Sequence, residues 1–202
     1  MNVNYVLWIS ERKKCQNIRR KIFTQNLSIF KLLISYRAYM GLTCKGGCYN
    51  QVIEKLTGMN IPIGDIFLLY GPIDVLVRFD AFNSLKEFVE NWFNPVRLIG
   101  AEEKLIAKTT TYVVVMEGPR FMETPFAFMF LNVQPRDVET AQQALLKLPA
   151  VISADFVFGP CDLIVPVKAK NTADLERVVQ AIHCAVSGIE EAHTTVVAMI
   201  QI

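Results

Sequence analysis

Long apolar runs are missing from this 202-residue chain. Hydrophobic residues make up 52% of it, yet no segment approaches the ~18 uninterrupted apolar residues that a membrane-spanning helix needs. The opening stretch MNVNYVLWIS lacks a basic region ahead of its apolar part, so no cleaved secretory signal is expected. Histidine is scarce: His183 and His193 are the two present, and no acid–base or nucleophilic pattern surrounds either in sequence. His183 reads as a half-buried helix residue and His193 as a solvated residue opening the last strand. The five cysteines (Cys15, Cys44, Cys48, Cys161, Cys184) are odd in number and scattered. This pattern predicts reduced thiols in a cytoplasmic protein rather than a disulfide framework. Cys44 and Cys48 form a CKGGC pair without the second Cys or His pair that closes a zinc site, so no metal is expected.

What is present points to a globular fold, since a charged content of 20% beside so many apolar residues argues against disorder. Charge is placed unevenly. Residues 1–37 hold eight Lys or Arg against one acid, Glu11, leaving 13 basic and 18 acidic residues for the remainder. Ile22, Leu27, Phe30, Leu33 and Ile34 are roughly helically spaced, so residues 1–36 are read as a basic, helical N-terminal extension. It either docks on the body or meets a phosphate backbone or acidic partner.

A tetrapeptide recurs. Gly71-Pro72-Ile73-Asp74 and Gly159-Pro160-Cys161-Asp162 lie 88 residues apart, each between two apolar runs. In the second half, FAFMFLNV reads as a strand and RDVETAQQALLKL as a helix with Val138, Ala141, Leu145 and Leu148 inward. Two strand-like runs then meet at Gly159-Pro160. A helix follows, capped by Asn171 or Thr172, with Leu175, Val178, Val179 and Ile182 inward, and HTTVVAMI closes as a strand. The order is β-α-β-β-α-β, the split βαβ of ferredoxin-like domains. The first half repeats it: AYMGLTCK, a helix with Val52, Ile53 and Leu56 inward, a hairpin at Gly71-Pro72, a helix over NSLKEFVENWF, and EKLIAKTTTYVVV. That second helix takes Asn83 or Ser84 as its cap, with Leu85, Phe88, Val89 and Trp92 on one face. The closing strands align as Thr110-Thr111-Tyr112-Val113 on Thr194-Thr195-Val196-Val197. A four-stranded sheet with helices on one side leaves an apolar face bare, and the other repeat is its natural cover. The fold class expected is therefore α+β: two ferredoxin-like βαββαβ repeats, 37–118 and 126–202 with a linker at 119–125, forming an intramolecular pseudo-dimer of the dimeric α/β-barrel type.

With the β-α-β-β-α-β order, FGPCDLIVPVKAKNTADLERVV and HTTVVAMI in place, residues 126–202 resemble the effector-binding (RAM) domain of Lrp/AsnC transcription regulators. Residues 37–116 look like a divergent second copy. A complete regulator also carries a helix-turn-helix domain of roughly 60 residues, for which residues 1–36 lack the length and pattern. The resemblance thus implies a stand-alone tandem module. It also implies a small effector, an amino acid in particular, bound near the hairpins, with Cys161 and Ile73 standing where the family often has Tyr. Gly71 and Gly159 would let the backbone approach a ligand, and Pro72 and Pro160 would stiffen the turns. Asp74 and Asp162 would either cap those turns or pair with an amino group. Thr110, Thr111, Thr194 and Thr195 would either serve β-propensity or add hydrogen bonds.

The function expected is small-molecule sensing in transcription regulation, without a cofactor, enzymatic activity or membrane association. Partners are further copies of the chain or full-length Lrp/AsnC-type regulators, and direct DNA binding stays open. Two alternatives are a dimeric α/β-barrel enzyme, such as a monooxygenase or haem enzyme, and a DNA-associated structural protein using the basic segment.

Overall fold

A computed structural model of the chain describes residues 36–198, so the expected helical extension at 1–36 lies outside the described residues except for its last position. The first half runs β1 (Tyr36–Cys44), α1 (Tyr49–Gly58), β2 (Ile66–Tyr70), β3 (Val75–Phe82), a second helix, and β4 (Ile106–Met116). The second half runs β5 (Ala127–Val133), α4 (Val138–Leu145), β6 (Asp155–Phe158), β7 (Leu163–Val167), α5 (Thr172–Ala185) and β8 (Ile189–Ala198). Among the described residues, no helix is long and apolar enough to cross a membrane.

That second helix departs from expectation. It starts as α2 (Leu85–Phe88), passes through a π-helical turn at Val89–Phe93, and continues as α3 (Asn94–Glu102) instead of ending at Phe93. Pro95 has no N–H and cannot sit in a regular helix interior, and the wider π turn just before it takes up the mismatch. The apolar stripe also differs from expectation: Phe88, Val96 and Ile99 are buried, whereas Leu85, ahead of the π turn, and Val89, at its start, are exposed. Of the alternative caps, Ser84 takes the first, its Oγ accepting from Glu87 N at 3.1 Å, and Asn171 takes the other, accepting from Asp174 N at 2.9 Å. The strand read across AVISADFVFG shrinks to Asp155–Phe158, with an isolated bridge at Val151.

The eight strands close on themselves in the order β1-β3-β2-β8-β5-β7-β6-β4. Each half supplies four neighbouring strands, and the halves meet where β2 pairs with β8 and where β6 pairs with β4, both antiparallel. Closure removes every sheet edge. Alternation along each strand then divides the side chains. Outward residues join helix residues in two clusters, one per half: Met40, Leu42, Val75 and Val77 with Val52, Leu56 and Phe88, and Met129, Leu131, Leu163 and Val165 with Leu145, Val178 and Ile182. Inward residues form a third cluster drawn from both halves, including Tyr39, Phe67, Leu76, Tyr112, Phe128, Phe130, Val157 and Ile164.

One end of the barrel is plugged. The segment between β4 and β5 places Phe121 in the inward cluster, and Arg78 lies 4.2 Å from its ring centroid while donating to its carbonyl at 2.9 Å. Beside it, Arg37 of β1 is fully buried and donates to Asp155 of β6 at 2.8 and 3.0 Å and to Asp80 at 2.6 Å. Tyr39 Oη and Gly118 N also donate to Asp155. Burial opposes the Arg37 charge, but Asp155, Tyr39 and Asp80 outweigh it and hold its pKa above the ordinary value. This network ties the two halves across the barrel interior.

Candidate functional site

The opposite end of the barrel opens into a cavity of about 320 Å³. Its floor is Tyr112, Phe130, Cys161 and Thr195, all nearly buried, and Pro72, Ile73 and Pro160 lean over it from the two hairpins. Polar groups ring the mouth: Thr43, Lys108, Thr110, Asn132, Glu191 and His193. Burial pushes the thiol of Cys161 up to about 12, with Asp162 adding to it, and pushes the phenol of Tyr112 up to about 12, so both are neutral, protonated groups near neutral pH. Among the described residues Lys108 makes no ion pair, whereas Glu191 is held on both oxygens, by His193 Nε2 at 2.9 Å and by Asn132 Nδ2 at 3.1 Å. The cavity thus presents a free ammonium and a fixed carboxylate above an aromatic floor.

Ten residues were singled out from the sequence, and the barrel gathers four of them here: Pro72, Thr110, Pro160 and Thr195. Thr194 faces the outer side of β8, in a groove beside α5, and Thr111 does not line the cavity. The two aspartates have matched positions. Asp74 Oδ2 accepts from Cys44 N at 2.7 Å, and Asp162 Oδ2 accepts from Val133 N at 2.9 Å. Both acceptances fall where β1 and β5 slip register against their closing strands, at Thr43/Cys44 and Asn132/Val133. A bulge frees an N–H from the ladder, and each carboxylate satisfies it. The two glycines allow close approach, but to a side chain rather than a ligand. A Cβ on Gly71 would stand 2.9 Å from Thr195 Cγ2, and one on Gly159 would stand 2.8 Å from the Tyr112 ring.

These contacts fix how the halves correspond. Val113 faces Phe158 as Val196 faces Tyr70, and Ala38 faces Val113 as Ala127 faces Val196. Closing-strand residues therefore match at a separation of 83, one less than the threonine alignment read from the sequence. A one-residue slip exchanges inward for outward side chains. Thr110 corresponds to His193, Tyr112 to Thr195, and Lys108 to Glu191. His193 lines the cavity mouth while its side chain stays largely exposed, as expected, although it sits within β8 rather than at its start. Lys108, Asn132 and Glu191 went unnoticed in the sequence. The signal was available: stepping by two from Thr110 and Thr195 along their strands reaches Lys108, His193 and Glu191.

Residues 126–199 match the family model described as the Lrp/AsnC ligand binding domain. No curated protein sequence matches the chain at a significant level. Among solved structures, the siroheme decarboxylase NirDL superposes with a TM-score of 0.58 at 9% identity, covering 84% of this chain and 73% of its own. A protein assigned as a chlorite dismutase gives 0.51 at 9% identity over 82% and 95% of the two chains. A protein of Thermus thermophilus is 28% identical over 38% of this chain and 94% of its own, with a TM-score of 0.34. The fold is thus a mixed α/β barrel shared with enzymes. This corrects the expectation that enzymatic activity is absent: the architecture is one that supports catalysis, and scarcity of histidine in the sequence is no argument against it once His193 is seen beside Glu191 in a cavity.

Proposed function

We propose that the barrel mouth is the ligand site of a sensing module of the Lrp/AsnC type, built from two tandem copies, 37–118 and 126–202, joined by the linker 119–125. The observation that carries this is a cavity, lined by both hairpins, in which a free cation and a held carboxylate face an aromatic floor. Its volume of about 320 Å³ lies at the small end of ligand sites and suits an amino acid. In this reading the effector is held by Lys108 and Glu191 with help from the hydroxyls of Thr110 and Thr195. Asp74 and Asp162 shape the site from behind through the bulges. Ligand occupancy would bias association with further copies or with full-length regulators in transcription control. The test is a thermal-shift screen of the common α-amino acids and of ω-amino acids, repeated on Lys108→Met. A ligand that binds the native state raises Tm by mass action. The reading fails if no amino acid shifts the wild-type protein, or if the shift survives intact in the variant.

The His193–Glu191 contact favours a second reading, a catalyst of the same fold, because a carboxylate-held imidazole in a cavity is a general acid–base arrangement. A haem does not fit: the cavity is too small for a four-ring macrocycle, and His193 Nε2 is already engaged by Glu191. Incubating the purified protein with each ligand found in the screen and following it by NMR separates the two readings, since a sensor returns its ligand unchanged.

A further inference from the structure

We infer that the cavity selects a long dipolar molecule, one whose ammonium and carboxylate are separated by several carbons, lying across the barrel mouth from the first half to the second. The inference rests on the reading of the cavity as a ligand site and adds the ligand's shape and charge order.

It begins with the correspondence of positions. Lys108 stands opposite Thr43 on β1 just before the slip in β1, and Glu191 stands opposite Asn132 on β5 just before the slip in β5. Both line the cavity. The same structural position therefore carries a cation in one half and an anion in the other. Two identical halves would place like charges at the two ends and would suit only a molecule with two like ends. One polypeptide with independently varied halves can present unlike ends, and this one does.

Strand order then sets the separation. Around the closed barrel, β4 and β8 lie four steps apart in either direction, so Lys108 and Glu191 arise from opposite walls. Eight strands at the usual spacing and tilt enclose a barrel about 15 Å across between backbones. Both side chains are exposed at the rim rather than folded over the floor, so their charged groups stand apart by much of that ~15 Å width. An α-amino acid carries its charges on neighbouring groups and reaches one end at a time. An ω-amino acid reaches both. Glu191 is held on its two oxygens by His193 and Asn132, which orients the carboxylate and leaves it lone pairs for a ligand ammonium. Between the two ends, Tyr112 and Phe130 offer the apolar floor that a methylene chain requires.

The experiment is calorimetric titration of the full chain with glycine, γ-aminobutyrate and ε-aminocaproate, with butyrate and butylamine as controls bearing one charge. The longer zwitterions are expected to bind at least about tenfold tighter than glycine or either control, as two charge-assisted contacts replace one. Lys108→Met and Glu191→Gln are each expected to lose about tenfold. Charge reversal gives the sharper result. Lys108→Glu leaves two facing acids and should prefer putrescine, and Glu191→Lys leaves two facing cations and should prefer adipate. These are gains of binding, which misfolding cannot imitate. Glycine binding as tightly as the long zwitterions, reversals that leave the preference unchanged, or no binding by any member of the series would each overturn the inference. The ligand-site reading would still stand if another amino acid shifts the wild-type protein and not Lys108→Met.

Discussion

The Asp155→Ala substitution tests the architecture most directly, because one carboxylate at the plugged end of the barrel serves three donors. It accepts from Arg37 Nη1 at 2.8 and 3.0 Å, from Gly118 N at 2.7 Å and from Tyr39 Oη. Arg37 and Asp155 are both fully buried, and they come from different halves of the chain. Removing the carboxylate leaves Arg37 with Asp80 as its remaining ion-pair partner and leaves Tyr39 Oη and Gly118 N without their acceptor. Breaking a buried pair by removing one partner costs about 3–5 kcal/mol. The expected loss is therefore about 4 kcal/mol, a large part of the ~5–15 kcal/mol that stabilises a domain. Urea denaturation followed by circular dichroism measures it. Replacing both partners, Arg37→Met with Asp155→Ala, should cost less than the sum of the single changes by about 2 kcal/mol, since neither Arg37 nor Asp155 is then left buried without the other. A loss below about 1 kcal/mol for Asp155→Ala, or strict additivity in the double variant, would refute the claim that this network fastens the halves together.

Other consequences can be measured in the same way. Asp74→Ala and Asp162→Ala each leave a bulge N–H without its acceptor and should lower stability by about 1–3 kcal/mol, read as a drop in the urea midpoint. Gly71→Ala drives a methyl group into Thr195 Cγ2 and should cost about 1–3 kcal/mol. Adding Thr195→Ala should restore most of that loss, and a double variant no more stable than Gly71→Ala would contradict the contact. Alkaline pH should destabilise the fold through Cys161, whose thiol is pushed from 9.0 to about 12 by burial. The unfolded chain releases this proton first, so the contribution is intact below about pH 9 and is lost as pH rises toward 12, by up to about 1.4 kcal/mol per pH unit. In Cys161→Val the loss over that window, followed by thermal unfolding, should be shallower than in the wild type.

Local pattern was enough for the elements. Period-two alternation, helical spacing and the Gly-Pro turns placed all eight strands and the inward faces of α1, α4 and α5, because these features depend on neighbours a few residues away. The helix after β3 continues past its expected end at Phe93, because a π turn that accommodates Pro95 depends on the packing of Phe88 and Trp92 in the core beneath. The repeated Gly-Pro-X-Asp was legible as a repeat, but its chemistry was not. Whether an aspartate meets a ligand or a backbone N–H turns on a bulge about thirty residues earlier in the chain.

By itself the sequence determined that the chain folds as β-α-β-β-α-β twice, since alternation and turn chemistry are written into short stretches. Only the tertiary structure decided which residues share a cavity. Closing the barrel brings β4 and β8 to opposite walls, and a bulge of one residue chooses which side of each strand looks in. Lys108, Glu191 and His193 became neighbours of one space through that closure, a relation between strands that no local stretch of sequence encodes.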